Sequence, residues 1–317
     1  MTHHIPLPTR RWPPVSRPAR RWLQAGCLFA FACSGRVLAQ AQTPEQAPEQ
    51  TTEEVAISAE RQTALDNEAI TISETPDAGP HLSHVTAVVG LGALLSPAYD
   101  GSNKLKTSPF PYVDIRGLFD DRMFVSVLEG VGVKILNEGP VRAGIGLNYA
   151  GGRTSSDDPR LKGLPDISGA AQLGGYVAYS FKPFVLEAKV NRRLGSTSGT
   201  LASLGASFAA SPLPQLHLTI SGDVTWADAK YQKTFFGITP ANAALANAQG
   251  NPLPAYTPGS GLTDFSLAAA GVYQITHHWG LIARLGVHDI VGSPAKDSPL
   301  TQRTFAPTIG FGALYMF

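Results

Sequence analysis

The chain has 317 residues, of which 15% are charged, and a formal net charge of only +1, so it lacks the basic surplus of a nucleic-acid binder. Hydrophobic residues make up 43%, too many for a disordered polymer even though Gly (32) and Pro (25) are plentiful. What remains is a folded chain rich in turns.

The N-terminus is basic, with Arg10, Arg11, Arg17, Arg20 and Arg21, and leads into a short apolar run over residues 25–32 and small residues at Ala39 and Ala41. That is the three-part order of a cleavable export signal, here residues 1–39. The run falls well short of the roughly 18 to 20 residues that a membrane-crossing helix needs, which argues against an N-terminal anchor. Arg20-Arg21-Trp22-Leu23 faintly resembles a twin-arginine signal, but a barrel crosses the inner membrane unfolded, so the pair reads as ordinary signal charge. Both cysteines, Cys27 and Cys33, lie in the signal, so the mature chain is expected to form neither a disulfide nor a thiolate metal site. A lipoprotein role for Cys27 fits poorly, because the apolar run follows it and Gln24-Ala25-Gly26 lacks the usual leucine.

Residues 40–80 turn to Gln, Glu, Thr, Pro and Ala, which bury too little apolar surface to fold alone and read as a disordered periplasmic tether. Within it, Glu53-Glu54-Val55-Ala56-Ile57-Ser58-Ala59 resembles the extended box by which TonB-dependent receptors engage their energising partner. A spacer with chance alternation is the simpler reading.

Residues 81–317 alternate with period two, segment after segment, between Gly, Pro, Asn and Asp turns, and no segment sustains a helical period. Strands are expected at 85–95 and 110–117, then from residue 141 onward. In 216–226, Leu216, Leu218, Ile220, Val224 and Trp226 share one face, while His217, Thr219, Ser221, Asp223 and Thr225 share the other. Segments 141–149, 186–193 and 281–288 divide in the same way. Each is long enough to cross a bilayer at about 9 to 11 residues. A soluble β-sandwich also alternates, but its strands are commonly about 5 to 6 residues long. Export, absent cysteines and long strands with one watery face predict an all-β fold: a closed antiparallel transmembrane barrel of the outer membrane, closure being what satisfies every backbone group in lipid.

The final strand ends on aromatics, and Gly312, Tyr315 and Phe317 fit the spacing of an assembly signal read by the barrel assembly machinery through strand addition. Counting back from a periplasmic C-terminus, 182–183, 211–214 and 276–278 are periplasmic turns, whereas 151–167, 229–261 and 292–301 are outer loops. Residues 122–136 are the puzzle. As one strand they make the total odd and put Glu129 in lipid. A reversal near Glu129-Gly130 cures both and gives twelve strands, with ten the alternative if the segment stays out of the wall.

The run Val89-Gly90-Leu91-Gly92-Ala93-Leu94-Leu95-Ser96-Pro97-Ala98-Tyr99-Asp100-Gly101-Ser102, then Pro109-Phe110-Pro111-Tyr112-Val113-Asp114-Ile115-Arg116, resembles the opening of the MipA/OmpV family. Phe235-Phe236-Gly237-Ile238-Thr239 and the terminal strand are similar too, so the resemblance spans about residues 85–317. It implies an outer-membrane scaffold that brings a lytic transglycosylase near a penicillin-binding synthase, with no motif to transfer residue by residue.

A catalytic set is not legible. His277 and His278 fall in a turn, and His217 and His288 lie near opposite strand ends without a shared serine. No catalytic, cofactor or metal residues are therefore assigned. The inward charges are expected to be Asp114, Arg116, Lys134, Arg142, Glu187, Lys189, Arg193, Asp223 and Arg284. They either pair and fill a narrow lumen or line a passage that favours anions. The pairs Gly90/Gly92, Gly144/Gly146 and Gly310/Gly312 lie within strands and suit curvature rather than nucleotide binding. Tyr149, Tyr179, Trp226, Trp279, Tyr315 and Phe317, near strand ends, are where interfacial girdles belong.

Overall fold

The computed structural model describes residues 85–317 apart from residue 196, so the expected signal (1–39) and tether (40–80) lie outside the described residues. Twelve strands follow in chain order: β1 (Thr86–Pro97), β2 (Leu105–Gly117), β3 (Met123–Ser126), β4 (Gly130–Glu138), β5 (Val141–Ala150), β6 (Ala170–Phe181), β7 (Phe184–Arg193), β8 (Gly199–Leu213), β9 (Leu216–Ala227), β10 (Gly261–Gln274), β11 (Trp279–Asp289) and β12 (Phe305–Met316). Each pairs antiparallel with its neighbours in sequence, and β12 pairs back onto β1 to close the barrel.

Alternation decides which way each side chain faces. In β9, Leu218, Ile220, Val224 and Trp226 are exposed on the outside, whereas Thr219 and Thr225 are buried within. At the closing joint Gly92 stands opposite Gly312. A methyl group on Gly92 would strike the Phe311 carbonyl, and one on Gly312 would lie 2.9 Å from the Gly92 Cα, so the glycines let the first and last strands lie flush.

The chain reverses at residues 127–129, with Gly130 at φ 82°, a conformation in which glycine costs least. The reversal swings Glu129 inward and makes the total twelve. The β3–β4 hairpin is short. It pairs with β2 only at Asp114 and Ile115, with the Val127 N–H donating to the Val113 carbonyl at 2.9 Å. β2 itself starts at Leu105, earlier than residue 110, because Pro109 and Pro111 sit where no ladder donor is used.

Turns at one rim are tight (139–140, 182–183, 214–215), whereas the other rim carries loops 98–104, 151–169, 228–260 and 290–304. Loop 228–260 contains two helices, α1 (Ala229–Phe236) and α2 (Pro240–Ala248), and loop 290–304 a third, α3 (Ser293–Lys296). No helical period marks them in the sequence, since two turns are too few to show one. Their start signals are nonetheless present. The Asp228 side chain accepts from the Tyr231 N–H at 2.7 Å, and Thr239 Oγ1 accepts from the Asn242 N–H at 3.2 Å ahead of Pro240 at the first helical position.

Candidate functional site

The interior charges are arranged in local groups. Arg116 Nε lies 3.0 Å from Asp114 Oδ2, and its Nη2 lies 2.9 Å from Glu129 Oε2. Lys134 Nζ meets Asp121 Oδ2 at 2.9 Å, and Lys189 Nζ meets Glu187 Oε1 at 2.7 Å. Arg142 Nη2 donates to Ser180 Oγ at 2.8 Å. Arg193 is buried, donates to the Ser168 carbonyl at 2.6 Å and to Thr197 Oγ1 at 3.1 Å, and places its guanidinium over the Phe235 ring. Asp223 accepts from Ser266 Oγ at 2.5 Å and from Thr225 Oγ1 at 3.4 Å. Arg284 is half-buried on β11, opposite Ala270 on one side and Gly310 on the other.

Two further carboxylates face inward, Glu129 and Asp264, while Asp121, half-exposed in the β2–β3 connection, serves Lys134. Asp264 lies 3.8 Å from His288 Nδ1. It was missed because a β-bulge between Leu262 and Asp264 breaks the alternation, so that Thr263 and Asp264 are both buried. With them, most of the basic residues of the set have a carboxylate or hydroxyl partner close by. A cavity of about 110 Å³ remains among Arg116, Glu129, Arg142, Asn148, Tyr176 and Lys189.

The histidines do not converge. His217 Nδ1 lies 2.8 Å from Ser211 Oγ at the tight-turn rim, where both are solvent-accessible, and no carboxylate orients that pair among the described residues. His278 Nδ1 lies 3.0 Å from the Met316 carbonyl. No cluster of three His, Cys, Asp or Glu among the described residues can hold a metal ion.

Over the long-loop rim the loops form a cap with its own core, in which Tyr99, Leu161, Ile238, Ala246, Leu253 and Leu300 are buried together. Polar contacts tie distant loops across it. Tyr99 Oη donates to the Leu300 carbonyl at 2.7 Å, Arg160 Nη2 to the Pro299 carbonyl at 2.8 Å, and Asn251 Nδ2 to the Lys162 carbonyl at 2.9 Å. Burial pushes the Tyr99 hydroxyl up to about 12 and the Arg153 guanidinium down to about 10, and Arg153 answers by donating to the Phe235 carbonyl at 2.6 Å.

The cap carries an acid-sensitive cap of its own at α1. Burial alone would raise the Asp228 carboxyl, but hydrogen bonds from the Tyr231 and Thr200 backbone bring it below the ordinary carboxylate value. A depressed pKa means stability that is present above the unfolded value of about 4 and is lost as the pH falls through the lower folded value. Asp228→Ala is expected to cost about 1 kcal/mol at neutral pH. Asp228→Asn keeps the acceptor and loses only the acid dependence. Thermal melts of the two variants between pH 3 and 7 check both expectations.

Aromatics gather at the tight-turn rim. Phe181 stacks on Phe184 at 5.6 Å, and Tyr315 packs edge-on against Trp279 at 5.1 Å and Phe317 at 4.9 Å. The Phe317 N–H donates to the Ala87 carbonyl at 3.0 Å, and Gly312 faces inward on the same strand.

A closed sheet with an apolar exterior, a polar interior, aromatics at one rim and long loops at the other is an outer-membrane β-barrel. The family model described as MltA-interacting protein MipA matches residues 89–317. The chain belongs to that family. No curated protein matches it. Among solved structures it is similar to the NanC porin (8% identity, 73% of this chain and 99% of that one, TM-score 0.33). It is also similar to OmpT, an outer membrane protein of Vibrio cholerae (10%, 75% and 99%, TM-score 0.31), and to the N-terminal barrel domain of Pseudomonas aeruginosa OprF (16%, 47% and 88%, TM-score 0.23). At these TM-scores none defines a ligand or a strand register for this chain.

Proposed function

We propose that the barrel is a non-enzymatic scaffold at the inner face of the outer membrane, which holds a lytic transglycosylase of the MltA kind and brings a penicillin-binding murein synthase beside it. The observation that carries this reading is the cap, whose own apolar core lies over a lumen of matched charges. Such a barrel is better suited to presenting a rigid periplasmic rim than to passing solutes. The family description, MltA-interacting protein, supplies the partner class.

Capture of the tagged full chain from solubilised envelopes tests it, with enrichment of a lytic transglycosylase as the expected result. Recovery of the barrel with no murein hydrolase or synthase, under conditions that preserve known complexes, overturns it. In planar bilayers the barrel is expected to be silent. Steady conductance whose anion preference reverses on Arg142→Glu would replace the scaffold with a narrow passage.

A further inference from the structure

Beneath the cap, at the long-loop end of the lumen, lies a second cavity of about 50 Å³, with Tyr99, Phe235 and Phe236 of the cap along one side. A water needs roughly 10 to 15 Å³ of such space, so it takes about four waters or one small ion.

Its walls hold two buried arginines. Arg153, 8% exposed, comes from loop 151–169, and Arg193, 2% exposed, from the end of β7. They flank one residue: Arg153 Nη1 donates to the Phe235 carbonyl at 2.6 Å, and the Arg193 guanidinium lies 5.3 Å from the centre of the Phe235 ring. All their side-chain hydrogen bonds go to neutral oxygens, those of Phe235, Ser168 and Thr197. Neither makes an ion pair with a carboxylate among the described residues. Asp100, Asp157 and Asp166 act on Arg153 only through space, and the Asp157 carboxylate is already taken by Lys106 at 3.4 Å and the Thr154 N–H at 2.8 Å. Deeper in the lumen the cations meet carboxylates or a hydroxyl; here they do not.

Burying a cation without an anion in contact is costly, and such groups are normally paired. The cavity lining carries three cations, Lys106, Arg153 and Arg193, against the two carboxylates of Asp100 and Asp157, so one positive charge stands over. Neutral donors face the same space. Gln172 stands opposite Arg193 in the β6–β7 ladder and is 3% exposed, yet its side-chain amide has no hydrogen-bond partner among the described residues. The buried Ser96 hydroxyl, on β1, lacks one too. A tetrahedral oxyanion has enough oxygens for guanidinium forks, amide and hydroxyl together, which a halide has not. The cavity lies inside the closed sheet, out of reach of phosphates still attached to lipids in the leaflet. We propose that it binds one small free oxyanion, of the inorganic phosphate kind, between Arg153, Arg193 and Gln172. The ion fastens loop 151–169 to β7 beside α1, which carries Phe235.

Equilibrium dialysis of labelled inorganic phosphate against the folded full-length chain, in detergent and otherwise phosphate-free buffer, tests this. One ion per chain is expected. Arg153→Gln is expected to hold it at least tenfold more weakly, and Lys104→Gln, which removes an exposed cation outside the cavity, as tightly as the parent. Gln172→Glu supplies the missing negative charge from the wall itself. It is expected to abolish phosphate binding and, without phosphate, to raise the urea midpoint above that of the parent. Added phosphate is expected to raise the midpoint of the parent but not of Gln172→Glu. Phosphate that does not bind, or binds equally to the parent and Arg153→Gln, overturns the site. A lowered midpoint for Gln172→Glu overturns it too, since the two arginines would then need no anion.

Discussion

Arg116→Met is expected to destabilise the barrel by about 3 to 5 kcal/mol, the cost of breaking a buried ion cluster by removing one partner. Arg116 is the single cation between Asp114 on β2 and Glu129 on the β3–β4 turn, at 3.0 and 2.9 Å. Without it, two carboxylates face each other in a largely enclosed lumen. On its β2 side the hairpin then keeps only the pairing at Asp114 and Ile115 and the Val127 N–H bond to the Val113 carbonyl. Urea unfolding in vesicles measures the loss. Adding Asp114→Asn and Glu129→Gln to Arg116→Met removes the stranded charges and should recover most of it. A single variant within about 1 kcal/mol of the parent would show that water screens the cluster.

The second large effect lies on the opposite face. Leu285, at mid-strand in β11 and 62% exposed, points at hydrocarbon, so Leu285→Arg is expected to cost about 2 to 4 kcal/mol. Leu213, at the tight-turn end of β8, is 52% exposed, yet Leu213→Arg should cost only about 0 to 1 kcal/mol, because near the interface a guanidinium reaches water. The contrast in depth is the test. Equal costs at the two positions would mean that these faces do not see a bilayer.

Much of this architecture was legible because the physics is local. A side chain two residues on shares a face, so lipid-facing and interior positions could be assigned strand by strand. The awkward Glu129 was informative for the same reason: a carboxylate in lipid is expensive enough to dictate a chain reversal. What stayed hidden was non-local or broke parity. The bulge before Asp264 shifts the alternation by one residue, which a count by twos cannot detect. Pro109 lies ahead of the expected strand start at residue 110, yet β2 begins at Leu105 because the odd-numbered positions need no donor in the ladder with β1. The cap was invisible because Tyr99, Leu161, Ile238 and Leu300 lie in separate loops, and nothing near each in sequence indicates that they meet. Only the helix N-caps at Asp228 and Thr239 are local enough to be carried by the sequence itself.

Tyr99 reaches Leu300 across 201 positions of sequence, and Asn251 reaches back to Lys162 across 89. What the cell presents to its surroundings is thus a mosaic whose tiles come from opposite ends of the chain. An antibody or phage that recognises this face would bind the folded protein and ignore its peptides. Serum raised against any one loop as a linear fragment would be expected to miss intact bacteria.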